Sequence, residues 1–117
     1  ILHNDAMRVT ATTVRVPVFD SHSESINVEF EKPFDLDELI EVLKNAPGVV
    51  VQNDSAHNEY PMAVTAAGKD EVFIGRIRRD ESVESGVNLW VVADNIRKGA
   101  ATNAVQIAEE IVKAMNK

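Results

Sequence analysis

Apolar and polar residues alternate along several short stretches of the chain, a pattern typical of β-strands with one buried face. Five stretches predict strands: residues 7–18, 26–30, 49–51, 71–79 and 87–93. Pro17 cannot donate a hydrogen bond to a neighbouring strand, so the end of the first strand should lie at a sheet edge or a bulge. In the fourth stretch, Arg76 and Arg78 alternate and are expected to line one face of the sheet.

Two other stretches have the period of amphipathic helices. The first begins at Asp35, which forms with Glu38 a D-x-x-E variant of the capping box, and Pro47 followed by Gly48 ends it. Its apolar face consists of Leu36, Leu39, Ile40 and Leu43. The second has an alanine-rich stripe that consists of Ala101, Ala104, Val105, Ala108, Ile111, Val112 and Met115. Such small residues permit close approach to another layer of structure.

The order of these elements is β-β-α-β-β-β-α. Neighbouring strands in such an order can form hairpins, so the sequence predicts an α+β fold. We expect a mixed or mostly antiparallel sheet with helices on one face. Residues 53–61 between the third and fourth strands are polar and irregular in pattern, and we expect a loop there.

Length and charge exclude several classes of function. The chain has 117 residues, which corresponds to one domain or a large part of one. A formal charge of −7 argues against binding to nucleic acid and to anionic membranes. The first residues lack the basic and apolar regions of a signal peptide, and no apolar run approaches about 20 residues. The absence of cysteine excludes disulfides and fits a cytoplasmic protein, and a start at Ile1 suggests that further residues precede it.

Arg15 and His22 have the side chains best suited to chemistry, because arginine keeps its charge and histidine titrates near neutrality. Within one β-rich segment they suit a substrate with anionic groups. On one straight strand, however, they would face opposite sides of the sheet, roughly 23 Å apart. If both residues serve one pocket, the chain must turn or bulge between them, and Pro17 and Asp20-Ser21 provide the means.

Both residues also have an ordinary structural interpretation. Arg15 could form a surface ion pair on an exposed strand, and His22 could be a solvated turn residue. As a general acid or base, His22 would need serine hydroxyls or Glu24 to orient its ring. His3, His22 and His57 lack the spacing of a metal site, so we expect no bound metal.

Three motifs of the chain resemble the C-terminal third of aspartate-semialdehyde dehydrogenases. They are V-R-V-P-V…H-S-E-S at 14–25, F-I-G-R-I-R-R-D at 73–80 and W-V-V-A-D-N-I-R-K-G-A-A at 90–101. The resemblance implies that Arg15 binds the substrate carboxylate and that His22 is the acid/base catalyst. It also implies that Asn95 approaches the carboxamide of an NADP cofactor, although a polar residue before a helix is more often a cap.

The resemblance further implies that the chain divides into two parts. Residues 1–97 would belong to a catalytic and dimerisation domain that forms a homodimer or homotetramer. Residues 98–117 would form a helix that returns to an NADP-binding domain, which accounts for the alanine-rich stripe. The cysteine nucleophile and the glycine-rich dinucleotide loop of the family have no counterpart in this sequence, so these 117 residues alone should be inactive.

The implied reaction is the NADPH-dependent reduction of L-aspartyl-4-phosphate to L-aspartate 4-semialdehyde and phosphate, through a cysteine thioester, toward lysine, threonine and methionine. A non-catalytic α+β dimerisation or interaction module remains an alternative, since the chain has no cysteine. A second alternative is N-acetyl-glutamyl-phosphate reductase, which has a similar D-N-x-x-K-G-A-A stretch. The R-x-P-V…H-S-E-S segment favours the aspartate enzyme.

Overall fold

The structure, a computed structural model, describes residues 9–12 and 18–116. The strands in these residues are β1 Val9–Thr12, β2 His22–Glu29, β3 Val49–Val51, β4 Val72–Asp80 and β5 Gly86–Ala93. The helices are α1 Leu36–Lys44, α2 Ala63–Ala66 and α3 Ala101–Met115. The strands form one sheet in the order β1-β2-β5-β4-β3, which is antiparallel except where β3 pairs with β4. The predicted α+β class with a mixed sheet is therefore confirmed.

Strand β2 begins at His22, four residues earlier than its apolar pattern indicates. Residues 22–25 alternate poorly because they are all polar, yet they continue the antiparallel ladder with β5. Backbone hydrogen bonds do not depend on side-chain type, so the ladder extends past the apolar part of the strand. Of the first predicted strand, residues 9–12 form β1, and residues 13–17 lie outside the described residues.

Helix α1 begins as predicted. Both the Asp37 and the Glu38 backbone N–H groups donate to Asp35 Oδ1, at 2.9 Å each. The predicted apolar face packs against a buried cluster that consists of Ile74, Ile77 and Val87. Full burial of one such side chain contributes about 1.5–3 kcal/mol. Four half-buried side chains can therefore stabilise a nine-residue helix that would be only marginally stable in isolation.

The short helix α2 was not predicted, and it lies on the face of the sheet opposite α1. Its Ala66 packs with Phe73 and Val92, whereas the neighbouring Ile74 belongs to the cluster under α1. Consecutive residues of a strand point to opposite faces, so these two clusters are separated by the sheet. Helices therefore cover parts of both faces rather than one, and four residues are too few for a helical period to show in the sequence.

A β-bulge in β4 reverses the alternation of the strand. Gly75 pairs with Trp90 and Arg78 with Asn88, so β4 has one extra residue between them. Arg76 has a φ angle of 52°, in the left-handed region. As a result Ile74 and Ile77, three residues apart, both face α1.

Helix α3 leaves its apolar stripe in solvent. Within the described residues the side chains of Val105, Ile111, Val112 and Met115 are all more than half exposed. The helix is held at its start by Lys98, whose Nζ donates to Gln106 Oε1 at 2.5 Å. The predicted stripe is thus present, and the described part of the chain does not cover it.

The sheet is closely packed around Gly75. A Cβ atom there would lie 2.0 Å from the Gln52 carbonyl oxygen and 2.5 Å from Pro61 Cδ. Backbone and proline atoms cannot swing aside as a flexible side chain would. Glycine is therefore required at position 75 for the loop at 52–61 to lie against the strand.

We expect Gly75→Ala to destabilise the chain by about 3 kcal/mol, at the upper end of the cost of overpacking. Urea unfolding monitored by circular dichroism measures this loss. Gly68→Ala is a matched control, because a Cβ there meets no atom within 4 Å and only its φ angle of 77° adds strain. Equal losses in the two variants would show that close packing at Gly75 is not the cause.

Candidate functional site

His22 is placed by a constrained turn at the beginning of β2. Ser21 before it has a φ angle of 74°, which residues with a side chain seldom adopt. The Ser21 hydroxyl donates to the Ala63 carbonyl oxygen at 3.0 Å and so fastens this turn to α2. The prediction of a turn at Asp20-Ser21 agrees with this geometry. The turn determines the point at which β2 begins and hence the face to which His22 belongs.

His22 forms a side-chain pair with Glu24. His22 Nε2 lies 3.1 Å from Glu24 Oε1, and the two side chains share a face of β2 because they are two residues apart. Their side chains are 53% and 47% exposed, so solvent and small molecules can reach both. When Nε2 carries the proton and donates to Glu24, Nδ1 keeps a free lone pair. This pair therefore has the composition of a general base with its orienting carboxylate.

The end of β5 lies beside His22. His22 pairs with Ala93 in the antiparallel ladder. Residues 94–100 therefore leave the sheet at the end of β5 that lies beside the start of β2. Asn95 is exposed in this segment. Two of the three predicted site residues, His22 and Asn95, thus lie at the same end of the central strands β2 and β5.

Asp94 holds that segment in place. Its side chain is buried, and it accepts hydrogen bonds from the backbone N–H of Gly68 at 2.7 Å and of Ile96 at 2.8 Å. These backbone donors hold the pKa of Asp94 below its ordinary value. Its carbonyl oxygen accepts from the Lys98 N–H at 2.8 Å, which turns the chain toward α3. Sequence reasoning missed Asp94, although an aspartate directly after a strand is a usual side-chain acceptor for turns.

Arg97 adds an exposed ion pair beside Asp94. Its Nη1 donates to Asp70 Oδ1 at 2.7 Å, and the Asp70 carboxylate raises the pKa of Arg97 above its ordinary value. The contact joins the segment after β5 to the turn before β4. The third predicted site residue, Arg15, lies outside the described residues.

A groove lies on the opposite face of the sheet from His22 and Glu24. It has a volume of about 650 Å³, and its lining includes Ser23, Ser25, Tyr60, Arg76, Arg78 and Trp90. Arg76 lies over the Tyr60 ring at 5.0 Å, and Arg78 Nη1 donates to the Arg76 carbonyl oxygen at 3.0 Å. The Trp90 indole N–H donates to the Pro61 carbonyl oxygen at 3.0 Å. The two arginines therefore share a face as predicted, but that face is not the one with His22.

In the part of the chain that the structure describes, no group of three or more histidine or acidic side chains is arranged to hold a metal ion. Nor is any helix in residues 9–12 and 18–116 long and apolar enough to cross a membrane. The candidate site is therefore built on the His22–Glu24 pair, with the groove on the other face of the sheet.

These features define an open mixed sheet with an acid/base pair at one end of its central strands and a helix whose apolar stripe is uncovered. Residues 1–98 match the family model described as "Semialdehyde dehydrogenase, dimerisation domain". The chain belongs to this family.

The sequences of curated relatives agree with this assignment. The chain is 61% identical to an aspartate-semialdehyde dehydrogenase of Aquifex aeolicus over 97% of its own length and 33% of that relative's. It is 53% identical to the Legionella pneumophila enzyme of the same name over 93% of its length and 32% of the relative's. The chain therefore spans about a third of the length of the relatives that it matches.

A solved structure has the same fold. It is aspartate semialdehyde dehydrogenase II of Vibrio cholerae complexed with ASA, which matches with a TM-score of 0.76 and 49% identity. The match covers 85% of this chain and 29% of that one. The predicted family and the predicted position within it are confirmed.

We expect Asp94→Asn to destabilise the chain at neutral pH. The asparagine side chain has one oxygen in place of two, so it can accept from only one of the two backbone N–H groups. Its own N–H group would then face the other backbone N–H, and both donors would lack an acceptor. Because the folded-state pKa is depressed, the contribution of Asp94 is present above about pH 4 and is lost as the pH falls through the folded-state pKa. The difference in unfolding midpoint between wild type and variant should therefore narrow in acid.

Asp70→Asn is the matched control for this experiment. It removes the exposed ion pair with Arg97 and leaves the backbone hydrogen bonds of Asp94 intact. Exposed ion pairs contribute little to stability, so the midpoint of this variant should stay close to that of wild type. A difference between Asp94→Asn and wild type that persists unchanged in acid would contradict the assigned role of the carboxylate.

Proposed function

We propose that this chain is part of an aspartate-semialdehyde dehydrogenase, a cytoplasmic enzyme of lysine, threonine and methionine synthesis. The reaction is the reduction of L-aspartyl-4-phosphate to L-aspartate 4-semialdehyde with release of phosphate. The observation that carries the proposal is identity of 49–61% to enzymes of this name over most of the chain. The ASA complex of the Vibrio cholerae relative supports the same substrate class.

In this proposal His22 moves the proton at the reacting centre. An exposed imidazole with one nitrogen held by Glu24 presents the other nitrogen in a defined direction. A base must be within hydrogen-bond reach of the proton that it transfers. A ring that is already oriented loses less entropy when it adopts that geometry. His22 would move the proton on the oxygen of the thiohemiacetal intermediate or on the thiol of the cysteine. The cysteine of that intermediate would come from outside these 117 residues, which contain none.

Arg15 would bind the substrate carboxylate. A guanidinium group can bind both carboxylate oxygens with two parallel hydrogen bonds, which fixes the orientation of the substrate as well as its position. Its place in the V-R-V-P-V segment, a few residues before β2, is the support for this role. Such positioning can contribute several kcal/mol to the lowering of a barrier.

Asn95 is the residue in this chain suited to contact an NADP cofactor. Its amide is exposed in a segment that Asp94 holds beside His22, so it offers a donor and an acceptor to a carboxamide. The chain contains no G-x-G-x-x-G loop, so the phosphates of the cofactor would bind elsewhere in the enzyme. When bound, NADPH supplies the reducing equivalents for the reaction. The residues of this chain are therefore suited to contact only the nicotinamide end of the cofactor.

The two parts of the chain would have different partners. Residues 1–97 would form the dimerisation domain, in agreement with the matched family model, and assemble into a homodimer or homotetramer. Residues 98–117 would pack on the NADP-binding domain through the exposed stripe of α3. An apolar stripe of this length is unusual on a surface that stays in water, which supports a covering domain.

A non-catalytic interaction module is the second candidate. The absence of cysteine favours it for the 117 residues taken alone, since they cannot form the thioester. The exposed His22–Glu24 pair favours the enzyme, since a module that only binds its partner has no need of an acid/base group. The two hypotheses share the dimerisation role and differ in the effect expected from a change at His22.

We expect His22→Ala to lower kcat about 10²–10⁴-fold in the complete enzyme that contains this segment, with a smaller change in KM. Loss of a proton-transfer group removes stabilisation of the transition state and leaves ground-state binding largely intact. Steady-state kinetics monitored by NADPH absorbance measure both constants.

His57→Ala is the control for His22→Ala. His57 is also an exposed histidine paired with a carboxylate, Asp54, at 2.7 Å, but it lies in the loop before α2. This variant should keep normal turnover. Normal turnover in His22→Ala as well would contradict the catalytic role of His22 and favour the interaction module.

We expect Arg15→Lys to weaken substrate binding, with a higher KM for the acyl phosphate or the semialdehyde, because the ammonium group cannot form the two parallel hydrogen bonds. The same kinetic assay measures this change. Arg79→Lys, at an arginine that stacks over the Phe34 ring at 4.4 Å, is the matched control and should leave KM unchanged. An unchanged KM in Arg15→Lys would contradict its role as the substrate clamp.

A further inference from the structure

We propose that Asp94 is a positioning residue for the proposed reaction, because its carboxylate ties the segment of Asn95 to helix α2, which also holds the turn before His22. We call this connection the α2 brace. It consists of Ser21, Ala63, Ala66, Gly68 and Asp94. The inference rests on the proposed function, in which His22 moves a proton and Asn95 contacts the cofactor. It goes further by assigning the alignment of these two residues to a buried carboxylate and a four-residue helix.

His22 and Asn95 lie where the ladder between β2 and β5 ends. The pair of His22 with Ala93 is the last one of this ladder. Ser21, which precedes His22, has a φ angle of 74°, so the backbone leaves the extended conformation there. The hydrogen bonds of the ladder therefore fix His22 and Ala93, and the segments beyond this pair depend on other contacts.

Helix α2 connects these two segments, one at each of its ends. At its first residue, the Ala63 carbonyl oxygen accepts from the Ser21 hydroxyl at 3.0 Å. Just beyond its last residue, the Gly68 N–H donates to Asp94 Oδ2 at 2.7 Å. Each end of the helix thus holds the residue that directly precedes a proposed site residue.

The middle of α2 is fixed on the sheet by close packing. Ala66 is fully buried and packs with Phe73 and Val92. Val92 lies opposite Ser23, one pair from the end of the ladder. A methyl side chain lets the helix lie close to the strands, and a shift of the helix would open a cavity beneath it. The packed helix therefore keeps the two ends of the brace at a constant separation.

Asp94 uses its two carboxylate oxygens for different segments. Oδ1 accepts from the Ile96 N–H at 2.8 Å, which closes an Asx turn around Asn95. Oδ2 accepts from Gly68 and fastens this turn to α2. Because the Asp94 side chain is buried, both hydrogen bonds lie in a region of low dielectric, where they are stronger than in water. One side chain therefore determines both the shape of the Asn95 segment and its place beside His22.

A second link joins the same two segments, but it is exposed. Arg97 Nη1 donates to Asp70 Oδ1 at 2.7 Å, and the two side chains are 41% and 49% exposed. Exposed ion pairs contribute little, because water and salt screen them. Asp70→Asn therefore cuts a link between these segments without loss of the buried contact of Asp94.

Asp94→Ser is the variant that releases the brace and keeps the turn. A serine hydroxyl can accept from the Ile96 N–H in the same kind of turn, but its side chain is too short to reach Gly68 as well. Gly68 is exposed, so its N–H can bond to water in the variant. The variant should therefore fold, and circular dichroism of the complete enzyme that contains this segment checks this. Asp94→Asn, which keeps the size of the side chain, is the second variant.

In the complete enzyme we expect Asp94→Ser to raise the NADPH dissociation constant about three- to tenfold, as for the loss of about one net hydrogen bond. Because small displacements of reacting groups are costly, kcat should fall by up to about 100-fold. The KM for the semialdehyde should stay unchanged, since Arg15 is proposed to hold that substrate. Titration calorimetry measures NADPH binding without turnover, and steady-state kinetics measure kcat and KM. Asp70→Asn is the matched control and should leave all three quantities unchanged.

A double-mutant cycle tests whether Asp94 acts through Asn95. Asn95→Ala should itself weaken NADPH binding, and Asp94→Ser added to it should weaken binding no further. A residue with a purely structural role would add its own effect to that of Asn95→Ala. Additive changes in the NADPH dissociation constant would therefore overturn the positioning role of Asp94.

The same measurements separate failure of the brace from failure of the proposed cofactor contact. If Asn95→Ala weakens NADPH binding and Asp94→Ser does not, the contact of Asn95 stands and the brace is overturned. If Asn95→Ala leaves NADPH binding unchanged, the proposed contact fails and the positioning role fails with it. A rise in the KM for the semialdehyde as large as the change in NADPH binding would indicate general loosening of the structure, and it would also overturn the brace.

Discussion

The antiparallel pairing of β2 with β5 is the constraint on which the rest of the structure depends. This ladder runs over eight residues, from His22 opposite Ala93 to Glu29 opposite Gly86. It places the histidine at one end of these two central strands, beside the segment that begins at Asp94. It also places Ser25 beside Trp90 on the other face. One register therefore determines both the position of the acid/base pair and the face that carries the groove, and a shift of one residue would exchange the two faces of β2.

The bulge in β4 completes this arrangement. Without the extra residue, strict alternation would place Ile74 and Ile77 on opposite faces. With it, both isoleucines reach the cluster under α1 while Arg76 and Arg78 line the groove. The cost is a left-handed φ angle at Arg76, and the Ile77 N–H is satisfied by Asn53 Oδ1 at 2.9 Å. The irregularity thus serves the core on one face and the groove on the other.

The separation of the two faces has a functional meaning under the proposed reaction. His22 and Glu24 lie on the face opposite the groove, so a molecule bound in the groove would not cover them. Because the pair is on a strand rather than a long loop, its orientation depends on the sheet as a whole. The register of β2 against β5 would therefore determine the direction in which His22 presents its free ring nitrogen.

Local patterns in the sequence predicted the elements that depend on neighbouring residues. Asp35 and Glu38 predicted the start of α1, because a cap requires only residues within one turn, and the alternation of apolar residues predicted the strands. The resemblance of the H-S-E-S segment pointed to His22. Three features escaped these patterns: the bulge at Arg76, the short helix α2 and the burial of Asp94. Each depends on contacts between residues distant in sequence, such as Gly68 with Asp94 and Gly75 with Gln52, and only the tertiary structure decides which distant groups meet.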